Sequence, residues 1–153
     1  MDKIKIIRFD EVESILNSVQ ICTLAMIDNG KPYAVSMNFG YIDRTIYFHG
    51  APSGRKIDVL NMNKTVSAVF YTDAVLNVRH ETVACSYSMK FRSVVVNGEI
   101  EFVTNNDEKI IALNSVMQKF SDRTNFTYGL PALNNVNVFK LPVIDYTAYK
   151  RGY

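Results

Sequence analysis

The 153-residue chain carries 17 Lys and Arg against 15 Asp and Glu, a formal net charge of +2, with the two signs interspersed. No single-sign run offers the electrostatic footprint that a nucleic acid demands, and the 48% apolar content is that of one globular domain over residues 1–153. The longest apolar run, Ile21 to Ile27, is broken by Thr23 and falls far short of the roughly 20 residues that cross a bilayer, so no membrane association is expected. Met1 to Arg8 has neither the continuous apolar core nor the cleavage site of an export signal. Cys22 and Cys85 are too few for a disulfide framework. These features predict reduced thiols and a cytoplasmic protein.

Phe9 to Leu16 predicts a short helix ending near Asn17 or Ser18, with Asp10 and Glu13 at capping-box spacing. Ile21–Ile27 and Pro32–Tyr41 are β-prone runs joined by Asp28-Asn29-Gly30-Lys31, and the Asn-Gly pair predicts a tight hairpin turn. A second turn at Ile42-Asp43-Arg44 leads into a strand from Thr45 to His49. Gly50-Ala51-Pro52-Ser53-Gly54 is turn chemistry, and Arg55–Asn61, with apolar residues at 57, 59 and 60, predicts a helix. Thr65–Thr72 returns to strand, Asp73–Glu81 is ambiguous, and Ser93–Val103 is β-prone, with Gly98 predicting a bulge or bend. Thr104–Phe120 is the clearest helix, its apolar residues spaced by three and four. A loop rich in Asn, Thr and Gly precedes a last strand at Asn137–Lys140, resuming beyond Pro142 toward Tyr149. Short connections between strands make the sheet mainly antiparallel, so the fold class is α+β, a barrel or sheet with about three flanking helices. Neither a Gly-x-Gly-x-x-Gly nor a Walker pattern occurs, which disfavours a Rossmann unit or a P-loop.

The chemistry concentrates in Tyr47-Phe48-His49-Gly50-Ala51-Pro52-Ser53-Gly54-Arg55-Lys56, a strand passing through a glycine-containing loop into a helix with two adjacent cations. Free amides at a helix start favour an anion, and glycines allow close backbone approach. Arg55 can fork onto phosphate oxygens while Lys56 adds a point charge; taken alone, the pair also reads as an exposed, solvated helix start. His49 reads equally as a hydrogen-bond or proton donor and as a plain strand-end histidine. His80 and Cys85 lack the second ligand pair that a metal site needs, so none is expected. Arg92 reads equally as a phosphate ligand and as an exposed strand cation.

The order of these features closely resembles the nitroimidazole-resistance-like branch of the pyridoxamine-phosphate-oxidase-like superfamily. It runs through the hairpin Leu24–Tyr41, the segment Ile46–Lys56 and the strand Phe91-Arg92-Ser93-Val94-Val95-Val96-Asn97-Gly98. The resemblance implies a split β-barrel that binds flavin mononucleotide (FMN) at the interface of a homodimer. By it, Arg55 and Lys56 hold the phosphate, and Ser36, Met37 and Asn38 lie on the strand that contacts the isoalloxazine ring. His49, Gly50 and Ala51 lie beside the ring and ribityl chain, and Ser93 is a further flavin contact. His49 is the candidate catalytic residue, and Tyr149 reaches a dimer-related flavin. The C-terminal substrate-phosphate residues of true pyridoxamine-phosphate oxidases are not recognisable, which disfavours vitamin B6 oxidation. The implied activity is electron transfer from a reduced nicotinamide or another reductant to a small acceptor such as a nitroaromatic, the flavin carrying the redox chemistry. The alternatives are a flavin- or haem-binding module without turnover and a purely structural dimerisation domain.

Overall fold

The computed structural model describes all 153 residues, Met1–Tyr153. Ten strands and four α-helices follow in the order β1 (Lys3–Lys5), α1 (Phe9–Ser18), β2 (Ile21–Asp28), β3 (Lys31–Asn38), β4 (Gly40–Ile42), β5 (Thr45–Gly50), α2 (Arg55–Met62), β6 (Thr65–Val78), β7 (Tyr87–Glu99), β8 (Glu101–Val103), α3 (Asn106–Met117), α4 (Leu130–Asn134), β9 (Asn137–Pro142) and β10 (Asp145–Arg151). All strand pairs are antiparallel. They form a six-stranded sheet, β1-β10-β7-β6-β2-β3, and a four-stranded sheet, β4-β5-β9-β8. This is the α+β split barrel, with four helices in place of the three expected.

The chain passes between sheets through a single buried residue twice, at Phe39 between β3 and β4 and at Ile100 between β7 and β8, and crosses again through α2 and through Val143-Ile144. Inward-facing residues alternate along the central strands of the larger sheet, among them Leu24 and Met26, Ala68 and Phe70, and Val94 and Val96. They meet Ile46, Phe48, Phe139 and Leu141 of the smaller sheet in one core. Helices α1 and α2 close that core with Val12, Ile15 and Leu16, and with Ile57, Val59 and Leu60. Helix α3 covers the other face of the smaller sheet, where Ala112 packs with Tyr47, Val103 and Val138.

Both predicted turns are tight. Asn29 and Gly30 take φ of 52° and 77°, and Asp43 and Arg44 take 48° and 57°, the paired positive values that match the twist of a hairpin. Several expectations are corrected. Asp10 does not cap α1: the cap residue is Arg8, and the Asp10 carboxylate accepts from its guanidinium. Gly98 makes no bulge and pairs regularly with Val66, its bare Cα leaving room for the Leu141 side chain. The bulge falls instead between Thr72 and Val75, with Asp73 at φ 56°. Beyond it β6 and β7 run on as a two-stranded arm closed by the segment 79–86, so the ambiguous stretch after Asp73 is largely strand. The Asn-rich loop holds the short α4, and β1, a strand of three exposed residues, was not expected.

Candidate functional site

Helix α2 begins abruptly. Its cap residue, Gly54, sits at φ 121° and supplies no side-chain acceptor, and the first intrahelical bond runs from the Asp58 amide to the Gly54 carbonyl at 3.0 Å. The amides of Arg55, Lys56 and Ile57 therefore have no acceptor within the chain, which leaves the helix start electropositive.

Lys56 is half-buried and pairs with no carboxylate. The one partner of its Nζ is the Met37 sulfur at 3.2 Å, a soft and weak acceptor. Burial lowers the proton affinity of the amine. Gly50 makes space for it, since a Cβ there would lie 3.3 Å from Nζ. His49, the preceding residue, is also half-buried; burial first and the charge of Lys56 second lower its pKa. Its Nδ1 is sealed from solvent and has no hydrogen-bond partner.

Arg55 is anchored differently. Its Nε and one terminal nitrogen donate to Asp28 Oδ2 at 2.9 and 2.8 Å, and its guanidinium lies 4.0 Å from the centre of the Tyr33 ring. Two of five donors are used, leaving three N–H bonds free. Beside it lies a cleft of about 480 Å³ between the β2–β3 turn and α2, lined by Ile27, Asp28, Asp58 and Met62 among others.

Strand β3 is the edge of the larger sheet. The two-residue turn makes Asp28 and Lys31 a hydrogen-bonded pair, so the alternation of antiparallel pairing turns the backbone groups of Ala34, Ser36 and Asn38 away from β2. Pro32 shares that register, where its missing N–H costs the ladder nothing. The side chains of Ser36 and Asn38 project to the exposed outer face, while Met37 points inward to Lys56.

The structure thus gathers Met37, His49, Gly50 and Lys56 into one cluster, with Arg55 adjoining. Ala51 is exposed in the loop between β5 and α2. Ser93 lies on β7, three strands from β3, half-buried and paired across to Tyr71 and Tyr149. Arg92 is engaged elsewhere: it pairs with Asp73 and lies 4.1 Å from the Tyr153 ring centre. Cys85 is exposed, and no group of three or more metal-ligating side chains is assembled anywhere. Asp28 and Tyr33 escaped sequence reasoning as partners of Arg55. Asp28 reads simply as a turn residue, and it lies 27 positions away along the chain.

The two antiparallel sheets, with Lys56 unpaired at the bare start of α2, define the structural class, a split barrel. More particularly, the family model described as pyridoxamine 5'-phosphate oxidase matches residues 9–149, and the chain belongs to that family. Among solved structures, a candidate 5-nitroimidazole antibiotic resistance protein from Bacteroides thetaiotaomicron VPI-5482 is 36% identical, with 97% of this chain and 87% of that one covered at a TM-score of 0.86. The FAD and haem binding protein from Mycobacterium smegmatis is 17% identical, with 97% and 74% covered and a TM-score of 0.86. A FAD-binding protein from Mesorhizobium loti is 22% identical, with 99% and 100% covered and a TM-score of 0.71. The last two likenesses are of fold alone. No curated protein matches the chain at a significant level.

Proposed function

We propose that this chain binds FMN, as a homodimer with the flavin at the subunit interface, and passes electrons from a reduced nicotinamide to a small organic acceptor such as a nitroaromatic. The observation that carries the flavin reading is Lys56, a half-buried cation with a thioether for its partner, beside three free helix amides. A phosphate monoester supplies the charge and the oxygens that this arrangement lacks. Arg55, held by Asp28 and Tyr33, offers its three remaining N–H bonds to the same group. The open edge of β3 offers alternating backbone donors and acceptors to the rim of a planar ring, and Met37 provides an apolar wall beside it. The flavin, when bound, supplies the redox chemistry; the chain binds it, orients it and limits water. The 36% identity to a candidate nitroimidazole resistance protein supports the choice of acceptor, and the FAD named for two structural relatives supports the flavin.

Ser93 and Tyr149 share the outer face of the larger sheet with Val69 and Tyr71, 37% and 50% exposed. A second copy seated there would bring Ser93 near the partner's flavin, a reach its place three strands from β3 denies it within one chain.

Absorbance titration tests the reading. FMN should bind with the red-shifted bands of a sequestered flavin, and riboflavin, which lacks the phosphate, should bind more weakly. Lys56→Ala should weaken FMN by roughly 10- to 150-fold, the worth of a charge-assisted hydrogen bond, and leave riboflavin unmoved. The double variant Arg55→Ala/Lys56→Ala should retain no flavin yet still fold. A protein that gains no flavin spectrum overturns the proposal. Turnover of nitro compounds by the holoprotein no faster than by free FMN would leave the non-catalytic binding module as the function.

A further inference from the structure

The two ring nitrogens of His49 face different surroundings. Nδ1 is sealed inside the protein without a partner, while Nε2, likewise unbonded within the chain, lies at the accessible side of the half-buried ring. We infer that His49 rests as the neutral Nε2–H imidazole, a fixed hydrogen-bond donor aimed at an oxygen of the bound flavin or of its electron acceptor, and does not exchange protons with either. This inference rests on the flavin reading above, and it replaces the proton-transfer role left open by the sequence.

Three observations carry it. A proton on Nδ1 would be a buried donor with nothing to meet, and native interiors tolerate orphaned N–H groups less than orphaned lone pairs. The same proton on Nε2 reaches solvent or ligand, and this is the tautomer that free histidine already prefers. Protonating both nitrogens would place a second cation beside Lys56, itself without a carboxylate partner, inside a half-buried pocket. The one charged group acting on the ring, the Lys56 ammonium, is a donor as well. A ring presenting N–H beside it suits a carbonyl, carboxylate or nitro oxygen. Because Nδ1 is closed to solvent, no ligand can reach it to reverse the assignment.

Nitrogen NMR of protein labelled at the imidazole, purified free of flavin, reads the tautomer directly at pH 7. The expected spectrum has a protonated Nε2 and an unprotonated Nδ1; an Nδ1–H form, or an imidazolium, overturns the inference. This measurement stands even if FMN fails to bind, so the two readings fail separately. In the loaded protein, His49→Gln places an amide N–H near the Nε2 position and His49→Asn places one near Nδ1. The Asn variant should lose at least about tenfold more than the Gln variant, the size of one good hydrogen bond. A loss in the FMN dissociation constant assigns the donor to the flavin, and a loss confined to the KM of the acceptor assigns it to the substrate. Equal losses in both variants, or a kcat whose pH profile loses a limb in His49→Gln, would show proton exchange and sink the inference.

Discussion

A single hydrogen separates tolerance from rupture at Gly40. A Cβ built there would lie 1.9 Å from Ser115 Oγ and 2.6 Å from the backbone of Ser115 and Val116. Rotating the serine relieves the first contact; nothing relieves the second short of pushing α3 off the smaller sheet. Gly40→Ala should therefore cost about 3 kcal/mol, the upper range for overpacking, read as a lowered urea midpoint, and adding Ser115→Gly should not restore it. The two thiols divide just as sharply. Cys22 is buried and its pKa is pushed up to about 12, chiefly by desolvation, whereas Cys85 is exposed. A thiol reagent at pH 8 should modify one cysteine in the native protein and the second only after denaturation. At this scale the sequence was partly legible. Gly50, Arg55 and Lys56 could be picked out because glycines and adjacent cations at a helix start have a local physical meaning. The Met37 sulfur, Asp28 and Tyr33 could not, because their roles depend on the edge of β3 passing α2, a contact between segments some 20 residues apart that no local pattern encodes.

Among the elements, α1 and α3 are joined by one side chain. Lys119, just beyond α3, donates to the carbonyls of Leu16, Asn17 and Val19 at the end of α1, at 2.7, 3.3 and 2.8 Å, and lies 4.3 Å from the Phe39 ring centre. A cation at a helix C-terminus satisfies its orphan carbonyls and complements its dipole. Burial nevertheless lowers the Lys119 pKa to about 8 from an ordinary 10.5. The folded state then binds fewer protons than the unfolded state between these values. From this group stability rises as pH climbs from about 8 to 10.5, and is lost again as pH falls through 8. Lys119→Met should abolish that portion of the rise, seen as the difference between the two proteins' pH-dependent denaturation midpoints. Helices with strong apolar spacing and the turn at Asn29-Gly30 were legible in sequence. The bulge at Asp73 was not, because aspartate favours turns as readily as it tolerates a left-handed bulge, and the pairing of β6 with β7 decides between them.

Across the whole molecule, stability is uneven by construction. The body of β6 and β7 is flanked by β2 and β10, but the arm beyond the bulge is paired only with itself and leaves Val75, Leu76, Val78, Tyr87 and Met89 exposed. A lone hairpin is marginal in water. Backbone amides from Val75 to Met89 should exchange with deuterium fastest among the long strands, and sedimentation at rising concentration should show whether association protects them. If the arm exchanges as slowly as the strand centres at dilutions where the protein is monomeric, it is held by something other than a partner.

The open edge of β3 carries one more consequence. A row of unsatisfied backbone groups is a template for any passing strand, and Lys31 and Pro32 guard just one end of it. A planar ring lying along Ala34 to Asn38 would occupy that template as well as serve chemistry, so the cofactor would double as a shield against self-association. Cells starved of riboflavin should then show this protein moving into the insoluble fraction, a nutritional state read out as a failure of solubility.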